Sequence, residues 1–203
     1  MKIPVFPIIV LTFIIWLNYE IRKNNRNSKH DMDNFWQREK EANFSRRKDL
    51  SELNYITIST DMLPLIDNPD PTTNSYRDIL LKLSGKTAIN LRGHTNTDLK
   101  IKYGAANINQ LMEYESNYIT LVSILQKWAN HLYNQGKITD CQSILEFALS
   151  YQTDVTKSYT MLANIYKSQN RTDNIKDLIE TIANTPIQNK DRLIKELENI
   201  NNS

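Results

Sequence analysis

One stretch of the chain returns, without a gap, 34 residues further on. WANHLYNQGKITDCQSILEFAL (128–149) laid over LANIYKSQNRTDNIKDLIETIA (162–183) sets Trp128 on Leu162, Ala129 on Ala163, Asn130 on Asn164 and Leu132 on Tyr166. Cys141 then falls on Ile175, Leu145 on Ile179 and Ala148 on Ile182. A period of roughly 20 to 50 residues marks a supersecondary unit that buries its apolar face by stacking on a neighbour. Each copy reads as two helices. A large apolar residue followed by a small one, Trp128–Ala129 and Leu162–Ala163, lets a second helix approach closely. Gly136 suits the left-handed turn after the first helix, and the next helix starts near Thr139. Cys141, Leu145 and Ala148 form an i, i+4, i+7 stripe facing back, in which a free thiol behaves as a small hydrophobe. In the second copy Asn170 replaces the turn glycine, a residue that also tolerates the left-handed region. Ile175 and Ile182 replace smaller side chains, which predicts looser packing.

These residue classes and this unit length resemble the tetratricopeptide repeat family, over residues 118–184. The resemblance implies paired helical hairpins whose first helices line a groove, with the grip of a peptide's terminal carboxylate as a known use. Carried over residue by residue, it places Gln126, Lys127, Asn130, Tyr133, Asn134, Lys157, Asn164 and Lys167 near that groove. The partner it implies is a protein or peptide, acidic in character. Asn130 and Asn164 also match a residue common throughout such repeats, so a plain solvated polar face stands beside the anion clamp as a reading. Stacked units need caps. KDRLIKELENI (190–200), with Leu193, Ile194, Leu197 and Ile200 in helical phase after Pro186, is the expected carboxyl-terminal cap, and Asn107–Glu115 covers the other end. The fold class expected is therefore all-α, with residues 118–203 forming the repeats and capping helix.

The amino terminus reads differently. Ile3 to Leu17, IPVFPIIVLTFIIWL, is fifteen residues without a charge. At 1.5 Å per residue it covers roughly 22 Å, against a hydrocarbon layer of ~30 Å. Trp16 and Tyr19 suit an interface, Arg22 and Lys23 can snorkel, and Pro4 and Pro7 fall in a first turn where a missing N–H costs little. No small-x-small cleavage site follows, and the positive charge sits on the wrong flank for a signal peptide. The expectation is an uncleaved transmembrane anchor over residues 1–21, with a cleaved signal and a peripheral or buried helix as the other readings. Lys2 before it and Arg22, Lys23, Arg26 and Lys29 after it give a single-pass protein of the cell membrane with its carboxyl-terminal domain in the cytoplasm.

Between anchor and repeats, residues 22–34 read as a polar juxtamembrane linker and 35–117 as a helical or irregular middle segment. Phe35–Leu50 fits a short helix, and Trp36 with Arg46 and Arg47 offers a docking segment, set against a solvated helix pinned to the body by its aromatics. Tyr55–Ile58 permits an extended piece with no visible strand partner. Asn74 or Ser75 caps a helix of about ten residues ending before Gly85, and Thr97–Tyr103 forms another closed by Gly104.

Charge and chemistry narrow the function. Residues 1–50 hold 10 Lys+Arg against 6 Asp+Glu, which leaves 15 and 17 of the totals 25 and 23 for the rest, so the body is no generic nucleic-acid binder. Three scattered histidines and one cysteine give no metal site, four separated glycines cradle no phosphate, and no nucleophile constellation appears, so no cofactor is expected. The Asn, Lys and Ile bias fits an AT-rich genome. The order of segments resembles small single-anchor membrane proteins of low-GC Gram-positive bacteria, a likeness that carries no activity. The reading is a membrane-anchored cytoplasmic interaction scaffold and not an enzyme; the alternatives are an enzyme of unrecognised class or a nucleic-acid-associated membrane protein.

Overall fold

The computed structural model describes residues 5–59, 63–184, 187 and 189–202. Lys2, Pro4 and Pro186, which entered the sequence reading, lie outside them, and of Pro7, Arg26 and Lys29 only the helical backbone is described. The chain is mainly helical, as the all-α expectation had it, and divides into two compact units.

The first unit holds residues 1–52 and 93–109. Its α1 runs unbroken over Val5–Asn43. The polar stretch 22–34, expected as a linker, is therefore helix. No proline or glycine falls between Pro7 and Pro64, and extending an existing helix costs far less than nucleating a new one. The expected membrane-spanning anchor is not supported: no helix of the described residues is long and apolar enough to cross a membrane. The apolar run of α1 stops at Leu17, and Asn18, Glu20, Arg22 and Lys23 follow within two turns.

The helix expected over 35–50 ends at Asn43, and what holds it is polar. α3 (Asn96–Tyr103) starts with Thr95 and Asp98 in a reciprocal capping box. The Glu39 carboxylate accepts from the Thr97 hydroxyl at 2.5 Å and pairs with the Lys100 ammonium. Those partners, Lys100 first, hold its pKa below the ordinary value. Ala42 and Leu99 are buried there, while Phe35, Trp36 and Phe44 stay exposed, so the aromatics do not pin this segment. After α1 the chain folds back over the end of α3. Asn107, 1% exposed, donates to the carbonyls of Lys48 and Tyr103, each at 2.8 Å, and accepts from Arg47 Nε at 3.0 Å. Gly104 makes this approach feasible: its φ is +94°, and a Cβ there would stand 2.3 Å from the Arg46 carbonyl oxygen.

The second unit holds residues 53–92 and 110–203. Its centre is α4, a 27-residue helix (Ile108–Asn134) of which the unit takes Gln110 onward; most residues from Asn117 to Leu132 are buried, while Ile119 and Lys127 are exposed. The short extended piece does have a partner: β1 (Ile56–Thr57) pairs antiparallel with β2 (Thr87–Ala88). Asn117 Nδ2 ties this ribbon to α4 by donating to the Thr87 carbonyl at 2.9 Å. α2 begins earlier than expected, at Pro71, and runs to Leu83. Its cap is Asp70, not Asn74 or Ser75, because a proline is favoured in the first helical turn. The Asp70 carboxylate accepts from the Thr73 amide at 2.7 Å, lies 2.7 Å from His131 Nε2 and accepts from the Gln135 amide.

From α4 onward the backbone is periodic. α5 (Ile138–Ser150) and α7 (Thr172–Asn184) are 34 residues apart at both ends. So are α6 (Thr156–Ser168) and α8 (Lys190–Asn202). The turns repeat too. Lys137 N donates to the Leu132 carbonyl at 3.0 Å and Arg171 N to the Tyr166 carbonyl at 2.9 Å, with Gly136 and Asn170 both at positive φ. Trp128, Ala129, Leu132, Cys141, Leu145, Ala148, Leu162, Ala163, Ile175 and Ile182 share one core with Leu80, Leu83 and Ala88. Burial pushes the Cys141 thiol up to about 12. α8, the expected cap, stands one period after α6, but Glu196 occupies the place of buried Trp128 and Leu162 and is exposed.

Two outcomes follow from these contacts. Gly104→Ala should speed hydrogen exchange at the Lys48 and Ala105 amides, since the added methyl meets backbone; unchanged exchange would show that the close approach is dispensable. The Thr73 amide first, then His131 and Gln135, hold the Asp70 carboxyl well below the usual carboxylate range. A carboxyl depressed by folding stabilises above its unfolded value near 3.9, and that stabilisation fades as pH falls further. Asp70→Asn should therefore melt below the unaltered chain at pH 7, and the gap should close below about pH 4. A gap constant down to pH 2 would contradict this.

Candidate binding face

In the second unit the first helices of the hairpins lie side by side. Ser158 Oγ of α6 donates to Gln126 Oε1 of α4 at 2.5 Å, with both residues buried. Lys167 Nζ of α6 donates to the Asn201 carbonyl of α8 at 3.1 Å. Gln126 is thus a bridge between helices and not a groove side chain. It also donates to Asn130 Oδ1 at 3.2 Å, which leaves Asn130 half-buried.

The other proposed groove residues distribute unevenly. Tyr133, Asn134, Lys157 and Asn164 are exposed, and Asn164 Nδ2 donates to the Thr160 carbonyl one turn back. Lys167 is half-buried and occupied by the end of α8, where a cation meets orphan carbonyls favourably. Lys127 is exposed, but its counterpart one period on, Met161, is partly buried with its sulfur 3.8 Å from Cys141 Sγ. The two equivalent positions therefore differ in environment, Lys127 in solvent and Met161 against α5.

The period adds residues that the sequence reading left out. One step beyond Asn164 lies Glu198, and one step beyond Lys157 lies Asp191, both exposed on α8. The face is therefore basic and amide-bearing on α4 and α6 but carries acids on α8. The signal was present in the sequence, since extending the 34-residue step once more reaches α8; the substitution of Glu196 for an apolar core residue hid it.

A polar cluster escaped the sequence entirely. Asp154, 3% exposed, pairs through Oδ2 with Arg92 Nε at 2.9 Å. The Tyr118 hydroxyl donates to the Gln152 carbonyl at 3.1 Å and accepts from Asn90 Nδ2 at 3.0 Å. Burial first, then the neighbouring Asp154 carboxylate, raise the Tyr118 pKa above its ordinary value. Tyr159 donates to the Thr153 carbonyl at 2.8 Å. The cluster fastens the loop after β2 and the α5–α6 connection to α4. Its members come from loops with no fixed spacing, so no motif announced them.

In the first unit Trp36 is exposed and stacks edge-on with Phe35, ring centroids 5.4 Å apart. Arg46 is exposed, whereas Arg47 is tied to Asn107. The three proposed docking residues thus do not act as one set. Among the described residues no group of three His, Cys, Asp or Glu is placed to hold a metal ion. No protein-family model matches the chain, nor does a curated protein or a solved structure.

Removing the Asp154 carboxylate takes the acceptor from Arg92 Nε, leaving only the longer bond from its Nη1 to the Asp154 carbonyl at 3.4 Å, and leaves a void in the cluster. Asp154→Ala should cost roughly 1.5 to 3 kcal/mol in a urea titration, the range for hydrogen bonds to charged groups. Lys157→Ala, on the exposed face, should stay within about 0.5 kcal/mol. Equal effects would deny the cluster its fastening role.

Proposed function

We propose that the chain is a membrane-attached interaction scaffold: α1 holds it to a lipid surface, and tetratricopeptide-like hairpins from α4 to α8 present a face to a peptide partner. The observation that carries this reading is the 34-residue recurrence of helix ends and turn hydrogen bonds across α4 to α8. Stacked hairpins of that kind expose long rows of first-helix side chains, a surface suited to binding more than to chemistry.

Attachment is favoured by the character of α1 from Ile9 to Leu17. Ile9, Leu11, Phe13, Ile15 and Trp16 are all more than half exposed, so the segment is apolar around nearly its whole circumference and none of its described side chains is buried. A helix of that kind calls for an apolar surrounding. Being shorter than the hydrocarbon layer, it needs local thinning and snorkelling of Arg22 and Lys23 at its polar end. Those cations favour the cytoplasmic leaflet, which puts the body on the cytoplasmic side.

For the partner, Asn130, Lys157 and Asn164 favour an acidic peptide on α4 and α6, with Asp191 and Glu198 repelling acids from α8. Asn130→Ala with Lys157→Ala and Asn164→Ala should abolish capture of a synthetic acidic peptide while helical circular dichroism is preserved. Binding by the unaltered chain should weaken as salt rises. Capture equal to that of the unaltered chain would reduce the face to a solvated surface. Attachment is tested separately: Ile14→Asp with Leu17→Asp should release the protein from membranes in alkaline carbonate, and retention would contradict a lipid role for α1.

A further inference from the structure

We propose that the end of the first unit where the close of α1 meets the close of α3 is a lipid-contact site in its own right, one that takes the anionic headgroups of a bilayer. This goes beyond the attachment assigned to Ile9 through Leu17 and uses none of those residues. About 39 Å of helix, at 1.5 Å per residue, separates Leu17 from Asn43, so the two places are distinct.

Segments distant in sequence build this end. After α1 stops at Asn43, residues 44–48 run across the last turn of α3. Ser45 Oγ donates to the Lys100 carbonyl at 2.6 Å, Lys48 N to the Tyr103 carbonyl at 3.1 Å and Lys48 Nζ to the Ile101 carbonyl at 3.2 Å. The backbone so fixed leaves Phe44 79% exposed, and Ile101, next to the Lys48 ammonium, is exposed as well. A bulky apolar side chain held in water costs free energy that insertion into a headgroup layer recovers.

The positive charge around these two side chains is uncompensated. Arg46, Arg47, Lys48 and Lys102 are exposed, and none has a carboxylate within ion-pair distance among the described residues. Their partners are neutral: Asn107 Oδ1 for Arg47 Nε, the Ile101 carbonyl for Lys48, and the Tyr103 ring, whose centroid lies 5.1 Å from Lys102 Nζ. The nearby acids are engaged, Glu39 by Lys100, Glu41 by Gln37 and Asp49 by Ser51. The negative ends of the two helices account for one cation, since Lys48 takes a carbonyl in the last turn of α3. Arg46 and Lys102 bond no carbonyl among the described residues, so their charge is left for a ligand. Exposed apolar side chains among cations bind an anionic bilayer because insertion and attraction to headgroups add. Ile101 has no ring on which a base could stack, and with Phe44 it favours acyl chains over nucleic acid.

The test uses the full chain carrying Ile14→Asp and Leu17→Asp, so that the apolar run of α1 no longer holds it. This chain should float with phosphatidylcholine vesicles that contain phosphatidylserine but not with phosphatidylcholine alone, and raised salt should release it. A cation at such a surface is worth roughly fivefold in partitioning, so Arg46→Gln with Lys102→Gln should cut binding about 25-fold. Phe44→Ser should also weaken it, with helical circular dichroism unchanged because that side chain lies outside the core. Arg192→Gln with Lys195→Gln removes equal charge from exposed positions of α8 and should leave binding unaltered. Failure of the starting chain to bind the anionic vesicles, an equal loss from the α8 pair, an inert Phe44→Ser, or binding of single-stranded RNA in place of vesicles would overturn the proposal. The chain without any substitution reports the role of Ile9 through Leu17 separately: retention on phosphatidylcholine alone supports that role, and release contradicts it without bearing on this site.

Discussion

The second unit depends on the burial of the wide core face of α4. Tyr118, Leu121, Val122, Leu125, Trp128, Ala129 and Leu132 are all buried, while Ile119, Lys127, Tyr133 and Asn134 stay exposed. A helix with so wide an apolar face draws its stability from the neighbours packed on it. The β1–β2 ribbon, α2 and the hairpin array are therefore coupled through one element, and their residues form one core. The Trp128 indole N–H is buried without a hydrogen-bond partner, but three other polar side chains of α4 are tied to neighbours. Asn117 bonds Thr87, Gln126 bonds Ser158, and Tyr118 bonds Asn90 and Gln152, each fixing one neighbouring element at a set height along the helix.

The first unit is built on the opposite principle. Its contacts between α1 and α3 are largely hydrogen-bonded and ionic, with Ala42 and Leu99 supplying a small apolar seam. Most of α1 lies outside that contact, and its exposed apolar residues carry the lipid reading. Arg38 with Asp98 and Glu39 with Lys100 then keep the end of α1 attached to α3 whatever its other end meets.

The helical turns at Gly136 and Asn170 were legible because the residues that set such a turn are few and specific: both adopt the positive φ that their types allow, and Ala129 and Ala163 are fully buried. The sequence carried the helical character of 71–83 but misplaced its start, since the two prolines and one aspartate in NPDP read as loop before they read as a cap and first turn. The ribbon was invisible because each strand has two residues and the partner lies about thirty residues away. The unbroken α1 was obscured by asparagines, which are poor helix formers individually but do not stop propagation. Of the candidate face, Tyr133, Asn134, Lys157 and Asn164 were legible as exposed positions. The engagement of Lys167 and Gln126 was not, since both depend on which helix lies next to which, a tertiary fact with no local signature.

The central claim is the register of the array, and adjacent residues with opposite environments test it most directly. Ala163 is fully buried and Asn164, the next residue, is exposed. Thermal and urea unfolding of Ala163→Leu should show a loss of about 1 to 3 kcal/mol from overpacking, while Asn164→Ala should change stability by less than about 0.5 kcal/mol. The same contrast should hold one period earlier for Ala129→Leu, because that alanine is buried too. If the two neighbours at 163 and 164 shift stability equally, or if Ala163→Leu is neutral, the helices do not meet in the register described and the account fails.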